Sequence, residues 1–113
     1  MTRDELAALV CEPRKGKEHA LDEARVRTLL AALPEWQLAL DGKSIAKAFR
    51  FKNFYETLGF VNAIGCMANK QDHHPDLEVG YNRCVVHWST HDVGGLSMND
   101  FVCAARVEAI AHG

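Results

Sequence analysis

The dipeptide Asp41-Gly42, set between two short alternating segments, restricts this chain more than any other stretch. Asp-Gly is favoured in the two-residue turns of β-hairpins, where both central residues need positive φ, and so short a connection joins its strands only antiparallel. Before it, Trp36, Leu38 and Leu40 alternate within residues 35–40; after it, Ile45, Phe49 and Phe51 form the apolar side of residues 44–51. A second hairpin follows. Leu77, Val79 and Tyr81 alternate, a turn falls near Asn82, and residues 83–90 place Cys84, Val86 and Trp88 on one face and Val85 and His87 on the other.

Between and around the hairpins the apolar period changes to that of helices. Asp22 is an N-cap, Leu21 and Val26 make a hydrophobic staple, and Val26, Leu29, Leu30 and Leu33 follow helical spacing until Pro34 ends the run. Asn53 caps a second helix with Glu56 to answer it. Phe54, Leu58, Val61, Gly65 and Ala68 are expected on its core face, widened by Phe60, Ile64 and Met67. Gly59 and Gly65 each cost about 1 kcal/mol against alanine in a helix, so a close approach to them is expected, and the wide face points to a subunit contact. Ser97 and Asp100 have capping-box spacing before a third helix, with Met98, Phe101, Val102, Ala105 and Ala109 facing the core and Cys103, Val107 and Ile110 in a second apolar row. The order α-β-β-α-β-β-α implies an α+β fold, a four-stranded antiparallel sheet with helices packed on one face. Residues 1–20, with the patch Leu6 to Val10 and the basic stretch Glu12 to Lys17, read as a loosely attached lead-in; residues 21–113 read as a single domain.

Several classes of function are set aside at this point. Lys and Arg number 13 against 15 Asp and Glu, a formal charge of −2, so no direct nucleic-acid partner is expected. No apolar run approaches the roughly 20 residues of a membrane span. The opening Met1-Thr2-Arg3-Asp4-Glu5 lacks the order of a secretory signal, which places the chain in the cytoplasm by default. Cys11, Cys66, Cys84 and Cys103 show no CxxC spacing and read as buried reduced thiols.

Chemistry concentrates in two loops, Asp72-His73-His74-Pro75-Asp76 and Ser89-Thr90-His91-Asp92-Val93-Gly94-Gly95-Leu96-Ser97. An imidazole with a pKa of about 6.5 both donates and accepts protons near neutrality, so the cluster points to acid–base work. Plainer readings compete with that one. Adjacent histidines before a proline can be exposed turn residues, Asp72 can simply terminate the preceding helix, Asp100 can be only a cap, and His87 packs in or beside the sheet without an assigned role. His19 and His112 lie near the chain ends and read as solvated. A metal held by His73, His74, Asp76 and His91 is disfavoured, since neighbours in a turn rarely aim both rings at one ion and neither HxH nor HExxH is present.

Taken jointly, Asp72-His73-His74-Pro75, Tyr81-Asn82, Ser89-Thr90-His91 and Gly94-Gly95-Leu96-Ser97 with Asp100 resemble the pterin-4a-carbinolamine dehydratases, over about Leu21 to Ile110. The resemblance implies dehydration of a 4a-hydroxytetrahydropterin to the quinonoid dihydropterin, in tetrahydrobiopterin regeneration, without metal or organic cofactor. It implies catalytic histidines at His73, His74 and His91, and a substrate side comprising Asp72, Pro75, Ser89, Thr90 and Asp100. Within it, His74 and His91 are expected to exchange protons with the substrate, His73 to assist, and Asp72 to fix an imidazole tautomer. A homodimer or homotetramer is also implied. Two departures stand out: Asn69 and Asn99 occupy positions where many members carry a glutamate and an arginine, which removes charge from the expected rim. The alternatives are a protein-interaction module of the coactivator kind, which would take a helical partner, and an accessory protein for another pterin.

Overall fold

The computed structural model describes residues 1–112; Gly113, the last residue of the expected domain, lies outside them. Its regular elements are helix α1 (Arg3–Ala8), helix α2 (Glu23–Leu30), strands β1 (Gln37–Leu38) and β2 (Ile45–Arg50), helix α3 (Phe54–Gln71), strands β3 (Asp76–Val79) and β4 (Arg83–Trp88), and helix α4 (Met98–His112). All strand pairs are antiparallel, in the order β1-β2-β4-β3. The expected α+β architecture is therefore present, with α2, α3 and α4 over one face of the sheet. Ile45 pairs with Trp88 and Phe49 with Cys84, so the inward side chains of the two central strands stand in register. They meet Leu29, Leu33, Phe60, Ile64, Phe101 and Ala105 in a continuous buried core.

Local chemistry explains where the helices start. The Asp22 carboxylate accepts from the Arg25 N–H at 2.8 Å and the Asn53 side-chain oxygen from the Glu56 N–H at 3.0 Å, while the Glu56 carboxylate accepts in turn from the Lys52 N–H. At the other end of α3, Asp72 takes a left-handed conformation (φ 53°) and the His73 N–H reaches back to the Ala68 carbonyl at 3.3 Å, the pattern of a Schellman cap. A short polar side chain tolerates that conformation better than most.

Three expectations require correction. The lead-in is not loose: Thr2 and Glu5 form a capping box on α1, Leu6 is fully buried, and the Arg106 guanidinium donates to the Leu9 carbonyl. The inner face of α3 is Thr57, Phe60, Ile64 and Ala68, while Phe54 and Leu58 are exposed, Leu58 by 40%. Thr57 takes an inward place because its hydroxyl donates to the Tyr81 carbonyl at 2.9 Å. A side chain added at Gly59 or Gly65 would meet open space, so neither glycine serves a close approach within this chain. Finally, β1 is only two residues long, and Leu40, expected beside Trp36 and Leu38, is fully exposed.

Lys47 sits on the inner side of β2 between Ile45 and Phe49, and its ammonium lies 2.8 Å from Glu108 of α4 and 3.0 Å from Glu35. Burial presses the lysine downward, but the carboxylates of Glu108 and Glu35 outweigh it and hold its pKa above the ordinary value. The Lys47 and Glu108 side chains are only 10% and 6% exposed. Removing one member of a buried pair leaves the other uncompensated, at a cost of about 3–5 kcal/mol, whereas replacing both by apolar groups is often neutral. Because Lys47 keeps Glu35 when Glu108 is lost, the larger effect lies at the lysine: chemical denaturation should show Lys47→Met, which strands the buried Glu108, losing about 3–5 kcal/mol and Lys47→Met combined with Glu108→Leu recovering most of it.

Candidate active site

The Schellman turn after α3 sends His73 and His74 in different directions. His73 folds inward, its side chain 12% exposed, with its ring stacked on the Trp88 indole at 5.5 Å between centroids and 14° between planes. Its Nε2 lies 2.7 Å from Oδ1 of Asp100. His74 stays exposed, and its Nε2 lies 3.1 Å from the Asn69 side-chain oxygen. His91 opens a 3-10 turn (His91–Val93) directly after β4, and its ring is exposed. Thus the Asp100 carboxylate and the Asn69 side-chain amide oxygen, both acceptors, fix a proton on Nε2 of His73 and of His74 respectively, leaving each Nδ1 without a partner among the described residues.

All three histidines line one cleft of about 490 Å³, together with Asp72, Ser89, Thr90 and Asp92. Its fourth wall was not anticipated. Cys11, Glu12, Pro13, Arg14 and Lys15 of the N-terminal arm line the cleft as well, beside the end of α3. The Cys11 N–H donates to the Gln71 side chain at 2.8 Å, the Glu12 N–H to Asn99 Oδ1 at 3.1 Å, and Asn99 Nδ2 to the Glu12 carbonyl at 2.7 Å. A further bond runs from the Gly16 N–H to the Asp92 carbonyl at 3.0 Å. Asn99 therefore acts as a clamp on the arm rather than as a rim position that has merely lost charge. Arg14 bonds Glu12 through Nη2, while its buried Nε finds no partner among the described residues. An adjoining hollow of about 620 Å³ on the outer side of the sheet shares Ser89, Thr90 and His91 but neither other histidine. His87 faces that hollow and pairs with Glu78 across β3 and β4.

Asp100 lies beneath the cleft, not in it. It is fully buried, and its Oδ2 accepts from the Thr90 hydroxyl at 2.7 Å and from the Ser97 N–H at 2.9 Å while Oδ1 takes His73. With the Thr90 proton so used, the Ser97 hydroxyl donates to Thr90 at 2.8 Å. Asp100 is thus both the cap of α4 and the partner of His73, and it has no open face for a ligand. The tautomer-fixing role expected of Asp72 falls to Asp100 instead; Asp72 terminates α3 and contributes only a longer-range charge to His73. Pro75, expected on the substrate side, does not line the cleft and leads the chain into β3. The signal that could have found the Asp100 pair was present in Ser97-x-x-Asp100, but a capping box alone gives no hint of a histidine folding onto it from 27 residues away.

Burial presses the His73 pKa down, but its hydrogen bond to Asp100 and that residue's charge more than reverse this, so the imidazole titrates above its ordinary value. Among the described residues no cluster of three or more His, Cys, Asp or Glu is gathered to hold a metal ion, and no helix is long and apolar enough to cross a membrane.

Comparison with known proteins places this geometry in context. A family model described as "Pterin 4 alpha carbinolamine dehydratase" matches residues 19–110. A protein of Stenotrophomonas maltophilia (strain K279a) is 53% identical over 107 residues, which cover 95% of this chain and 92% of that protein. One from Xanthomonas campestris pv. campestris (strain 8004) is 58% identical over 97 residues, 86% of this chain and 82% of its own. Both carry names that place them with the pterin-4-alpha-carbinolamine dehydratases. The crystal structure of a transcriptional coactivator/pterin dehydratase from Brucella melitensis superposes with a TM-score of 0.77 at 35% identity, covering 80% of this chain and 97% of that one. A pterin dehydratase-like RuBisCO assembly factor of the alpha-carboxysome, at 22% identity and a TM-score of 0.59, shares the fold; the match covers 68% of this chain and 89% of that one.

The His73–Asp100 pair makes a prediction about pH. The unfolded imidazole titrates near 6.5 and the folded one higher, so the pair's contribution to stability is complete below about pH 6.5 and is lost as pH rises through the folded value. Imidazole NMR titration should place His73 above about 6.5 in the parent and shift it downward in Asp100→Asn, where burial is opposed only by the weaker charges of Cys11 and Asp72. An unchanged titration in the variant would remove Asp100 as the cause.

Proposed function

The chain belongs to the pterin 4 alpha carbinolamine dehydratase family, and on that premise we propose that it eliminates water from a 4a-hydroxytetrahydropterin by histidine acid–base catalysis, within tetrahydrobiopterin regeneration. The observation that carries the mechanistic part is the gathering of His73, His74 and His91 around one cleft from two separate loops. The leaving hydroxyl needs a proton, since hydroxide is a poor leaving group, while a ring N–H must lose one. Imidazoles suit both transfers because they change charge near neutrality.

In this reading His74 and His91 exchange protons with the substrate. Both rings are exposed in the cleft, and the Asn69 contact leaves the His74 Nδ1 open to a ligand. A neutral amide at residue 69 orients the ring without adding the charge that a carboxylate would supply. His73 forms the floor: it is held by Asp100 and by its stack on Trp88, so it presents a fixed Nδ1 and, when protonated, a positive charge beneath the departing oxygen. Ser89 and Thr90 line the wall between His91 and the floor. The chemistry asks for proton transfer alone, and the reading assigns no cofactor.

For assembly, the exposed Phe54, Tyr55 and Leu58 at the start of α3 supply an apolar surface on which a second copy of the chain would pack, the homodimer or homotetramer of this reading. The same surface is what a helical partner would use in the coactivator alternative suggested by the Brucella protein's name. Light scattering separates these, because a monomer at micromolar concentration would leave the surface open to a partner of another kind.

Kinetics of 4a-hydroxypterin loss, followed by absorbance after an aromatic amino acid hydroxylase generates it, test the catalytic assignment. His74→Ala and His91→Ala should each lower kcat by roughly 10²–10⁴-fold, the usual scale of a positioned acid or base. Full activity in both would overturn it.

A further inference from the structure

The cysteines of the chain do not stand alike. Cys66 is exposed on α3 and Cys84 is buried in β4, whereas Cys11 and Cys103 lie with their sulfurs 3.4 Å apart, one on the N-terminal arm and one on α4. Expectation had all four buried; Cys66 is not, and Cys11 is half-buried because it forms part of the cleft wall. Cys103 is fully buried directly behind it. A disulfide requires about 2.05 Å between sulfurs, so this pair needs an approach of only about 1.4 Å. The arm is held at this place by one hydrogen bond to Gln71 and two with Asn99 rather than by regular structure, and a shift so small is within reach of side-chain rotation and minor backbone adjustment.

We propose that Cys11 and Cys103 form an oxidisable pair, in which Cys11, open to the cleft, is modified by small hydroperoxides and Cys103 behind it converts the product into an intramolecular disulfide. The Cys11 sulfur attacks one peroxide oxygen; an S–O bond forms, the O–O bond breaks, and the other oxygen leaves as water or alcohol with the thiol proton. Cys103 sulfur then attacks Cys11 sulfur; the S–S bond forms, the S–O bond breaks, and the departing hydroxide takes the Cys103 proton as water. Two thiols lose two electrons and the peroxide gains them.

The local electrostatics favour this order of events. The hydrogen bond from Cys103 holds the Cys11 thiol below its ordinary pKa against the opposing effect of burial, with His73 and Arg106 assisting, whereas Cys103 is pushed upward by that same bond and by burial. Thiolate character therefore sits on the sulfur that the cleft exposes. Cys84 is driven up by burial alone and stays an inert thiol. Cys66 is accessible but has no thiol in contact with it among the described residues. Closing the pair would staple the arm, and with it the wall carrying Glu12 to Lys15, to α4. The inference rests on the fold and not on the dehydratase reading.

The test uses the full chain carrying Cys66→Ala, which removes cross-linking between copies. After equimolar hydrogen peroxide and alkylation of remaining thiols, mass spectrometry of the digest should recover a Cys11–Cys103 linked peptide, lighter by two hydrogens and released by dithiothreitol, with Cys84 unoxidised. The oxidised protein should also unfold at a higher temperature, as a long closed loop stabilises. With Cys103→Ala added, Cys11 should stop at the sulfenic acid and be trapped by dimedone; Cys103→Ser serves if the alanine variant does not fold. Oxidation of Cys84 as fast as Cys11, or a Cys11 that stays fully alkylatable after peroxide, would overturn the proposal.

Discussion

One buried carboxylate joins the parts of the chain from which the site is made. Asp100 takes hydrogen bonds from His73 after α3, from Thr90 after β4, and from the Ser97 main chain at the start of α4. A carboxylate out of water is costly by several kcal/mol unless its oxygens are occupied, and here each has a donor at 2.9 Å or less. The charge is tolerated because three segments converge on it, and the segments are kept together because the charge cannot be left unpaired. Packing alone would hold α4 against the sheet; it would not specify which nitrogen of the His73 ring bears a proton.

The same logic distinguishes the two adjacent imidazoles of the α3 turn. His73 meets a full negative charge in a buried setting, so its protonated form is favoured despite burial. His74 meets a neutral amide near solvent, which directs the ring by a hydrogen bond. Adjacent residues thereby acquire different properties from a single turn, whose left-handed Asp72 sends one ring inward and the other out.

Features encoded locally were legible in the amino-acid order. The caps at Asp22 and Asn53 and the inward set Cys84, Val86 and Trp88 all depend on neighbours a few residues away, and each is present. The first hairpin is present too, but its turn is longer than the expected Asp41-Gly42 pair, with the Gly42 N–H bonded to the Ala39 carbonyl and only Gly42 of the two at positive φ. The misses depend on distant partners. Thr57 is inward on α3 because a carbonyl 24 residues on accepts its hydroxyl, and Lys47 enters an apolar strand face because Glu108 waits on α4. The histidines could be singled out as a group, but the floor beneath them could not: Asp100 was expected as a cap or on the substrate side, and its pairing with His73 was not. Asn99 and the arm were the least visible, since Asn99 reads as a lost charge until Glu12 is found against it.

The arm's clamp spans 87 positions of sequence, so one wall of the cleft is supplied by the beginning of the polypeptide and its anchor by the last helix. Loop-closure entropy for so remote a contact is recovered only once the intervening sheet and helices are in place. The recess is thus a late product of the fold, and a protease cut between residues 8 and 16 would release both that wall and the α1 segment whose Leu6 is buried in the core.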